Sequence, residues 1–503
     1  MNPAPIQRVS PESAGFKSED VAECIRAIQH KNTHMHSFIA ARDGKIFAEC
    51  YWDPFSRELV HSNHSLGKSY TCTAILFLIQ DGLLSEEDLI VDLFREDIEA
   101  RGITPDENMK KMRLRDVMAM ATGMERMPMI ADDWIGNFLS APVKYEPGTR
   151  FYYNTAGSCM LGAIVKKVSG KDLKEFLTER LFTKIGIDPQ RFVWLKFPDG
   201  YDAEPGTFSC TEDNLRLAML YTNLGKWNGE QILDSDLVRR ALSVQTENAD
   251  NPDHLDWRSG YGYQLWACSF KGAYRIDGGQ AQYGIIWPEK GLTVAIHEGG
   301  ILPDGLQDTL DVVFRYLFDK VSDEAFPEDP EARMALLRLC QETRYPDDPA
   351  NETALKHGFS CEYTVTAGEL DPWISLSPSN TGDFFRPYRD NPFDVSSFRL
   401  TVAPDGILLE LSETSSIYAR FDGKLQREIT ETPFKALGNY AASARFIDEA
   451  HLQIHIHWLN GWFETLLDFA PEGDRMQIGI HKTRLDTRAN YIEGYAEAVQ
   501  KKP

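Results

Sequence analysis

The stretch His61-Ser62-Asn63-His64-Ser65-Leu66-Gly67-Lys68-Ser69-Tyr70-Thr71 decides how this chain is read. It runs on into Ala74-Ile75-Leu76-Phe77-Leu78-Ile79-Gln80-Asp81-Gly82-Leu83-Leu84, and the pattern predicts a helix-like segment from Ser65 to Ile79. A lysine three positions after a serine lies on the same helix face, within reach of the serine oxygen. A serine hydroxyl is a poor nucleophile at neutral pH, so acyl transfer needs a neighbour to take its proton. A serine at a helix start also sits beside free backbone N–H groups and the positive end of the helix dipole. Ser-x-x-Lys alone recurs by chance in a chain of this length. Its bland reading is an N-cap serine followed by a surface lysine, so the weight falls on what surrounds it.

Two further blocks follow in order. The first is Leu114-Arg115-Asp116-Val117-Met118-Ala119-Met120-Ala121-Thr122-Gly123-Met124. The second is Glu146-Pro147-Gly148-Thr149-Arg150-Phe151-Tyr152-Tyr153-Asn154, leading to Leu161-Gly162-Ala163-Ile164-Val165. With the Ser65 block, this order and spacing resembles the serine β-lactamase and penicillin-binding-protein superfamily across residues 10 to 320. It looks most like the class C β-lactamase-related esterases and 6-aminohexanoate-dimer hydrolases. The resemblance implies a Ser65 nucleophile working through an acyl-enzyme, with Lys68 and Tyr152 sharing the proton. Asn154 is then expected to orient the substrate carbonyl or amide and to hold Lys68. A tyrosine titrates near pH ~10 unless a cation such as Lys68 lowers it, while apolar walls ease a proton off an ammonium. Sequence does not choose between the two bases.

The third element departs from the pattern. The family usually carries Lys-Thr-Gly or His-x-Gly on a strand edging the site; between residues 255 and 300 there is no Lys-Thr-Gly, and His297-Glu298-Gly299 is the one His-x-Gly. The corresponding stretch is Arg275-Ile276-Asp277-Gly278-Gly279-Gln280-Ala281-Gln282-Tyr283-Gly284. If Gly278 matches the family's glycine, Ile276 replaces the cation and Asp277 the middle residue. The adjacent glycines also allow a slip of one. Glycine suits a strand edge that a substrate approaches closely. The backbone N–H groups of Gly279 and Ser65 are the candidate oxyanion hole; a glycine-containing bulge is the alternative. Without a cation here, an anionic substrate group loses its partner unless Arg275 turns inward. Neutral esters or small amides therefore rank above β-lactams or peptide C-termini. His64, Trp134, Arg275 and Gln282 are further candidates for the pocket wall.

Composition fits a globular enzyme: 503 residues, 42% hydrophobic and 26% charged, with net charge −23. That charge argues against nucleic acid and anionic membrane surfaces as partners. No apolar run approaches the ~20 residues of a membrane span, and the N-terminus lacks a signal-peptide core. Eight cysteines stand singly. Cys50, Cys72, Cys159 and Cys268 lie in apolar runs and read as buried free thiols in a reducing, cytoplasmic setting. No cofactor or metal is implied by their spacing. His451, His455 and His457 alternate on one face of an expected strand. A polar strand face is the favoured reading over metal binding, because no carboxylate or cysteine is patterned with them.

The organisation follows from periodicity. Residues 37–52 read as a β-hairpin turning at Asp43-Gly44. Arg115 to Met120, Cys159 to Ser169, Leu173 to Leu181 and Thr211 to Leu224 carry helical spacing, the last capped by Ser209 or Thr211. Tyr261 to Cys268, Ala273 to Ile276, Tyr283 to Trp287 and Leu292 to His297 read as antiparallel strands, and Asp308 to Phe318 as a closing helix. This predicts an α/β domain over 1–320: an antiparallel sheet from both chain ends, flanked by helices, with a helical insert. An acidic, proline-containing linker with a helix fills 321–355. Over 356–503, turn signals at Asp405-Gly406, Asp422-Gly423 and Asn460-Gly461 predict an all-β antiparallel barrel or sandwich. The leading function is a cofactor-free serine hydrolase of small esters or amides. A D-amino-acid peptidase, a β-lactamase-type activity and a non-catalytic binding or sensor protein are the rivals.

Overall fold

The computed structural model describes residues 5–501 apart from 32–33, 131, 198, 252–253, 300–304, 353–357, 374–394, 434–435, 449–450 and 484–490. The chain divides into two compact units, Met1–Tyr51 with Ser62–Thr343, and Trp52–His61 with Arg344–Pro503. The short segment 52–61 thus belongs with the C-terminal unit, and the expected border near residue 355 lies outside the described residues.

In the first unit, helix α1 (Ser18–Lys31) precedes strands β1 (Met35–Arg42) and β2 (Lys45–Tyr51). Asp43 and Gly44 both take positive φ, 49° and 78°, the conformation a two-residue hairpin of type I′ requires. Helices α2 (Gly67–Gln80), α3 (Thr155–Ser169) and α4 (Thr211–Thr222) follow. Then come strands β3 (Trp266–Ala267), β4 (Tyr274–Gly278), β5 (Gln282–Trp287) and β6 (Leu292–Glu298), and helices α5 (Gly305–Tyr316) and α6 (Pro330–Glu342). The sheet runs β2-β1-β6-β5-β4-β3. The early and late strands join through an antiparallel pairing of β1 with β6, Phe38 opposite Ile296. β6 is buried along its whole length, as expected for a central strand covered on both faces; α4 packs against β5 and β6.

Some expected elements fall short. Only Trp266–Ala267 of the run Tyr261 to Cys268 is strand. Gln264 turns to φ 55°, its backbone carbonyl accepts from Ser69 Oγ (2.8 Å) and its side chain from Ser158 Oγ (2.7 Å). Tertiary hydrogen bonds thus replace the ladder there. The cap of α4 is Cys210 rather than Ser209 or Thr211: Asp213 Oδ2 accepts the Cys210 N–H at 3.0 Å. Cys50 is not a free thiol. It is joined to Cys340, which lies 290 residues away on α6, and the cysteine argument for a reducing compartment falls with it. The other six cysteines form no disulfide.

The second unit is a closed barrel. Strands β7 (Phe359–Gly368), β8 (Ser397–Ala403), β9 (Gly406–Glu410), β10 (Ser416–Arg420), β11 (Asn439–Phe446), β12 (Leu452–Trp458), β13 (Phe463–Glu472), β14 (Arg475–Thr483) and β15 (Tyr491–Gln500) form it. Each pairs antiparallel with its neighbour, β15 returning to β7, except for one parallel bridge between Arg420 of β10 and Ser443 of β11. A ring of nine strands needs such an exception, because alternation cannot close on an odd number. Alternate residues such as Ile407, Leu409, Ile417, Ile454, Ile456, Leu467 and Ile478 are buried, which is the inward face of a barrel wall. After the Asp422-Gly423 turn, strand resumes only at Glu428–Ile429. No described helix is long and apolar enough to cross a membrane.

Candidate active site

Ser65 lies in a single 3-10 turn, His64–Leu66, that feeds directly into α2. The turn is pinned from behind: Asn63 N–H donates to the Thr207 carbonyl on strand Asp202–Ser209 (2.9 Å). Lys68, one turn along, is 1% exposed, and its Nζ donates to Ser65 Oγ at 2.8 Å. Gly67 lets this happen in a crowded place. A Cβ there would stand 2.6 Å from Thr207 Oγ1 and 3.1–3.2 Å from the Glu204 carboxylate.

Glu204 is the residue that sequence reasoning missed. It is 1% exposed, with Oε1 3.7 Å from Lys68 Nζ and Oε2 3.5 Å from Thr71 Oγ1. Burial pushes its carboxyl up to about 7, against the pull of Lys68. Glu204 gives only a faint signal in its strand, which also carries Asp202, Thr207 and Ser209, since nothing in the spacing ties it to Lys68. Burial alone would lower the Lys68 ammonium, but Tyr153 and Glu204 outweigh it and hold the pKa above the ordinary value.

Both tyrosines line the cavity in front of Ser65, but the one that meets the serine is Tyr153. Its hydroxyl hydrogen-bonds to Ser65 and to Lys68, and burial raises its pKa. The ring stacks on Trp266 at 5.7 Å and meets Tyr261 edge-on, which fixes its direction. Tyr152 hydroxyl instead accepts the Met127 N–H at 3.0 Å. Two adjacent tyrosines in extended chain point to opposite sides, so only the surrounding aromatic wall selects one. Asn154 is also used differently from expectation. Its Oδ1 caps α3 by accepting the Gly157 N–H (3.2 Å), and its Nδ2 faces Thr122 Oγ1 and Met124 Sδ. A fully buried amide committed to a helix cap is a positioning element for the Tyr153 segment rather than a hand on Lys68.

β4 edges the site. Gly278 approaches so closely that a Cβ would lie 2.0 Å from the Asn63 carbonyl, while one on Gly279 would rest 4.0 Å from the His64 ring. Ile276 is fully buried in the sheet. Arg275 does not turn into the pocket. Its Nε donates to Asp277 Oδ2 at 2.6 Å, and its guanidinium lies over Trp257 and Trp266. Asp277 is raised to about 6 by burial despite that partner. The cavity in front of Ser65 holds about 730 Å3, and its wall includes Tyr153, Trp257, Trp266, Asp277 and Gly279. Glu247 and Asp250 add acid, and Arg150 is the cation among these lining residues.

The other expected wall residues are not among those that line this cavity. Trp134 donates to Asp199 and packs on Phe197 and Tyr201. Gln282 Nε2 ties together the Gly279, Gln280 and Glu298 carbonyls, bracing the β4–β5 turn. His64 is buried at φ 48° within the turn itself.

Sheet, helical insert and a serine–lysine pair at the start of α2 define a β-lactamase-type domain. The β-lactamase family model matches residues 21–298, more than half of the chain, and the protein belongs to that family. Among solved structures, a putative 6-aminohexanoate-dimer hydrolase from Bacillus anthracis is 16% identical, covering 63% of this chain and 87% of that one, with a TM-score of 0.49. A putative β-lactamase from Bacteroides dorei is 15% identical over 60% and 98% of the two chains, TM-score 0.48. An octameric penicillin-binding protein homologue from Pyrococcus abyssi is 13% identical over 95% and 99%, TM-score 0.45. No curated protein sequence matches the chain.

Proposed function

We propose that the protein is a serine hydrolase that cleaves small ester or amide bonds through an acyl-enzyme on Ser65. The observation that carries this reading is the 2.8 Å contact between Lys68 Nζ and Ser65 Oγ inside a cluster with Tyr153 and Glu204. As an ammonium, Lys68 cannot take the serine proton. Glu204, raised to about 7 and 3.7 Å from Lys68 Nζ, is the acceptor for an uphill transfer of the Lys68 proton, and the freed amine then takes the proton of Ser65. Ser65 Oγ adds to the substrate carbonyl, whose oxygen is held by the N–H groups of Ser65 and Gly279. The Tyr153 hydroxyl stays protonated and gives its proton to the leaving oxygen or nitrogen as the C–O or C–N bond breaks. Lys68 restores it. Water then attacks the acyl-enzyme by the reverse route, releasing the acid and freeing Ser65.

The charge of the wall supports the substrate class. A carboxylate entering this cavity meets Asp277, Glu247 and Asp250 against Arg150, so neutral or cationic esters and amides fit better than β-lactams. A fluorophosphonate probe should label Ser65 and fail on Ser65→Ala, and a neutral aryl ester should turn over faster than a chromogenic cephalosporin. No labelling of folded protein would sink the nucleophile, and faster cephalosporin turnover would reverse the substrate ranking.

A further inference from the structure

The outer wall of the barrel carries a second constellation, far in sequence from Ser65. His455 and His457 are two apart on β12 and so project to the same side, while Ile454 and Ile456 are buried on the other. Asp348 is brought to them from the segment preceding the barrel, 109 residues before His457. Its Oδ2 stands 3.1 Å from His455 Nδ1 and 3.0 Å from His457 Nε2. These three donor atoms all lie within 4.8 Å of one another.

We propose that Asp348, His455 and His457 bind a divalent transition-metal ion, zinc in the first instance. Zinc bonds of about 2.0–2.1 Å in a tetrahedral arrangement set neighbouring donors about 3.3 Å apart. The two Asp348–imidazole spacings already stand within a few tenths of an ångström of that edge. Two imidazoles and one carboxylate are a donor set that suits such ions.

The surroundings are those a metal site needs. Glu464, opposite His457 on β13, addresses the far nitrogens of both rings: His455 Nε2 at 3.5 Å and His457 Nδ1 at 3.7 Å. A carboxylate behind each ligating imidazole fixes its orientation and raises its basicity. Ser443 Oγ donates to Asp348 Oδ2 at 2.6 Å, holding the carboxylate in turn. The segment bearing Asp348 is tied to the barrel before any ion arrives. Asp348 N–H donates to the Gly423 carbonyl (3.0 Å), Asn351 N–H to that of Phe421 (2.7 Å), and Asp347 Oδ1 accepts the Leu425 N–H (3.1 Å). Three protein donors leave at least one position open, and a cavity of about 290 Å3 lined by Asp348, Ser443, Arg445, Gln453, His455 and Glu464 adjoins the cluster. His451, the third histidine of the alternating run, is outside the cluster, exposed and paired with Asp448.

The test is zinc titration of the chelator-stripped full chain by calorimetry, beside a His455→Gln/His457→Gln double variant and a Glu464→Gln variant. One equivalent should bind to the parent protein, at least 100-fold more weakly to the double variant, and about 10- to 100-fold more weakly to Glu464→Gln. Cys361→Ser, which removes the free cysteine that is not buried, should bind as the parent does. If the double variant does not fold, zinc-edge X-ray absorption of the parent decides. A shell of nitrogen and oxygen near ~2.0 Å with imidazole scattering supports the site, and sulfur near ~2.3 Å overturns it. Absence of stoichiometric binding, or binding untouched by the double substitution, also overturns it.

Discussion

Glu204 has more influence on the proposed chemistry than its place in the sequence suggests. Burial lifts its carboxyl from the ordinary range to about 7, so it is the one group of the Ser65–Lys68–Tyr153–Glu204 cluster that titrates near neutrality. If it receives the Lys68 proton, turnover of a neutral aryl ester should rise with pH through an apparent pKa near 7. Glu204→Gln should lower kcat and remove that rising limb; an unchanged profile would dismiss the role. The sign for stability is opposite. The folded state holds this proton more tightly than the unfolded chain, so the contribution is full below the unfolded value and is lost as pH rises through about 7. In the same assay Tyr153→Phe should lower kcat by ~10²-fold or more while Tyr152→Phe stays within a few-fold. The reverse order would return the role to Tyr152. The serine–lysine pair was legible because both members lie one helical turn apart. Tyr153 and Glu204 were not, since an aromatic wall and a distant strand select them.

At the scale of elements, the site depends on how closely β4 approaches the turn before α2. Gly278 has no room for a side chain, because its Cβ would fall 2.0 Å from the Asn63 carbonyl, and backbone cannot yield as a flexible side chain can. Gly278→Ala should therefore push β4 away from Ser65, costing about 1–3 kcal/mol of stability and most of the fluorophosphonate labelling. Full labelling with unchanged melting would show that the strand edge has no part in the site. Element boundaries were read less well where tertiary bonds compete with local pattern. Tyr261 to Gln264 carries strand-like alternation but turns at Gln264, whose amide and carbonyl are engaged by α2, α3 and the Met118 carbonyl. The Asp43-Gly44 hairpin, set by its own two residues, came out as read.

At the scale of the whole molecule, the sheet of the first unit joins strands from residues 35–51 and 266–298, and the Cys50–Cys340 bond adds a covalent link between β2 and α6. Thiol titration of the denatured, unreduced chain should find six groups, and eight after reduction. Eight before reduction would remove the link. The barrel closes through a parallel bridge that an odd number of strands requires, and on its outer wall it gathers Asp348 to His455 and His457.

Local pattern by itself determined that a serine and lysine share a helix face, that Asp43-Gly44 turns a hairpin, that the chain has a β-lactamase-type domain and that its last third is antiparallel strand. The pair, the hairpin and the strands depend on residues within a turn or two of one another, where spacing and side-chain chemistry suffice, while the domain type rests on the resemblance carried by three blocks between residues 61 and 165. Tertiary structure alone decided that Tyr153 rather than Tyr152 meets Ser65, that Glu204 stands against Lys68, that Arg275 holds Asp277 instead of facing the cavity, and that Cys50 pairs with Cys340. Those outcomes depend on groups brought together from remote positions, and packing, burial and ion pairing choose among partners that the linear order leaves equivalent.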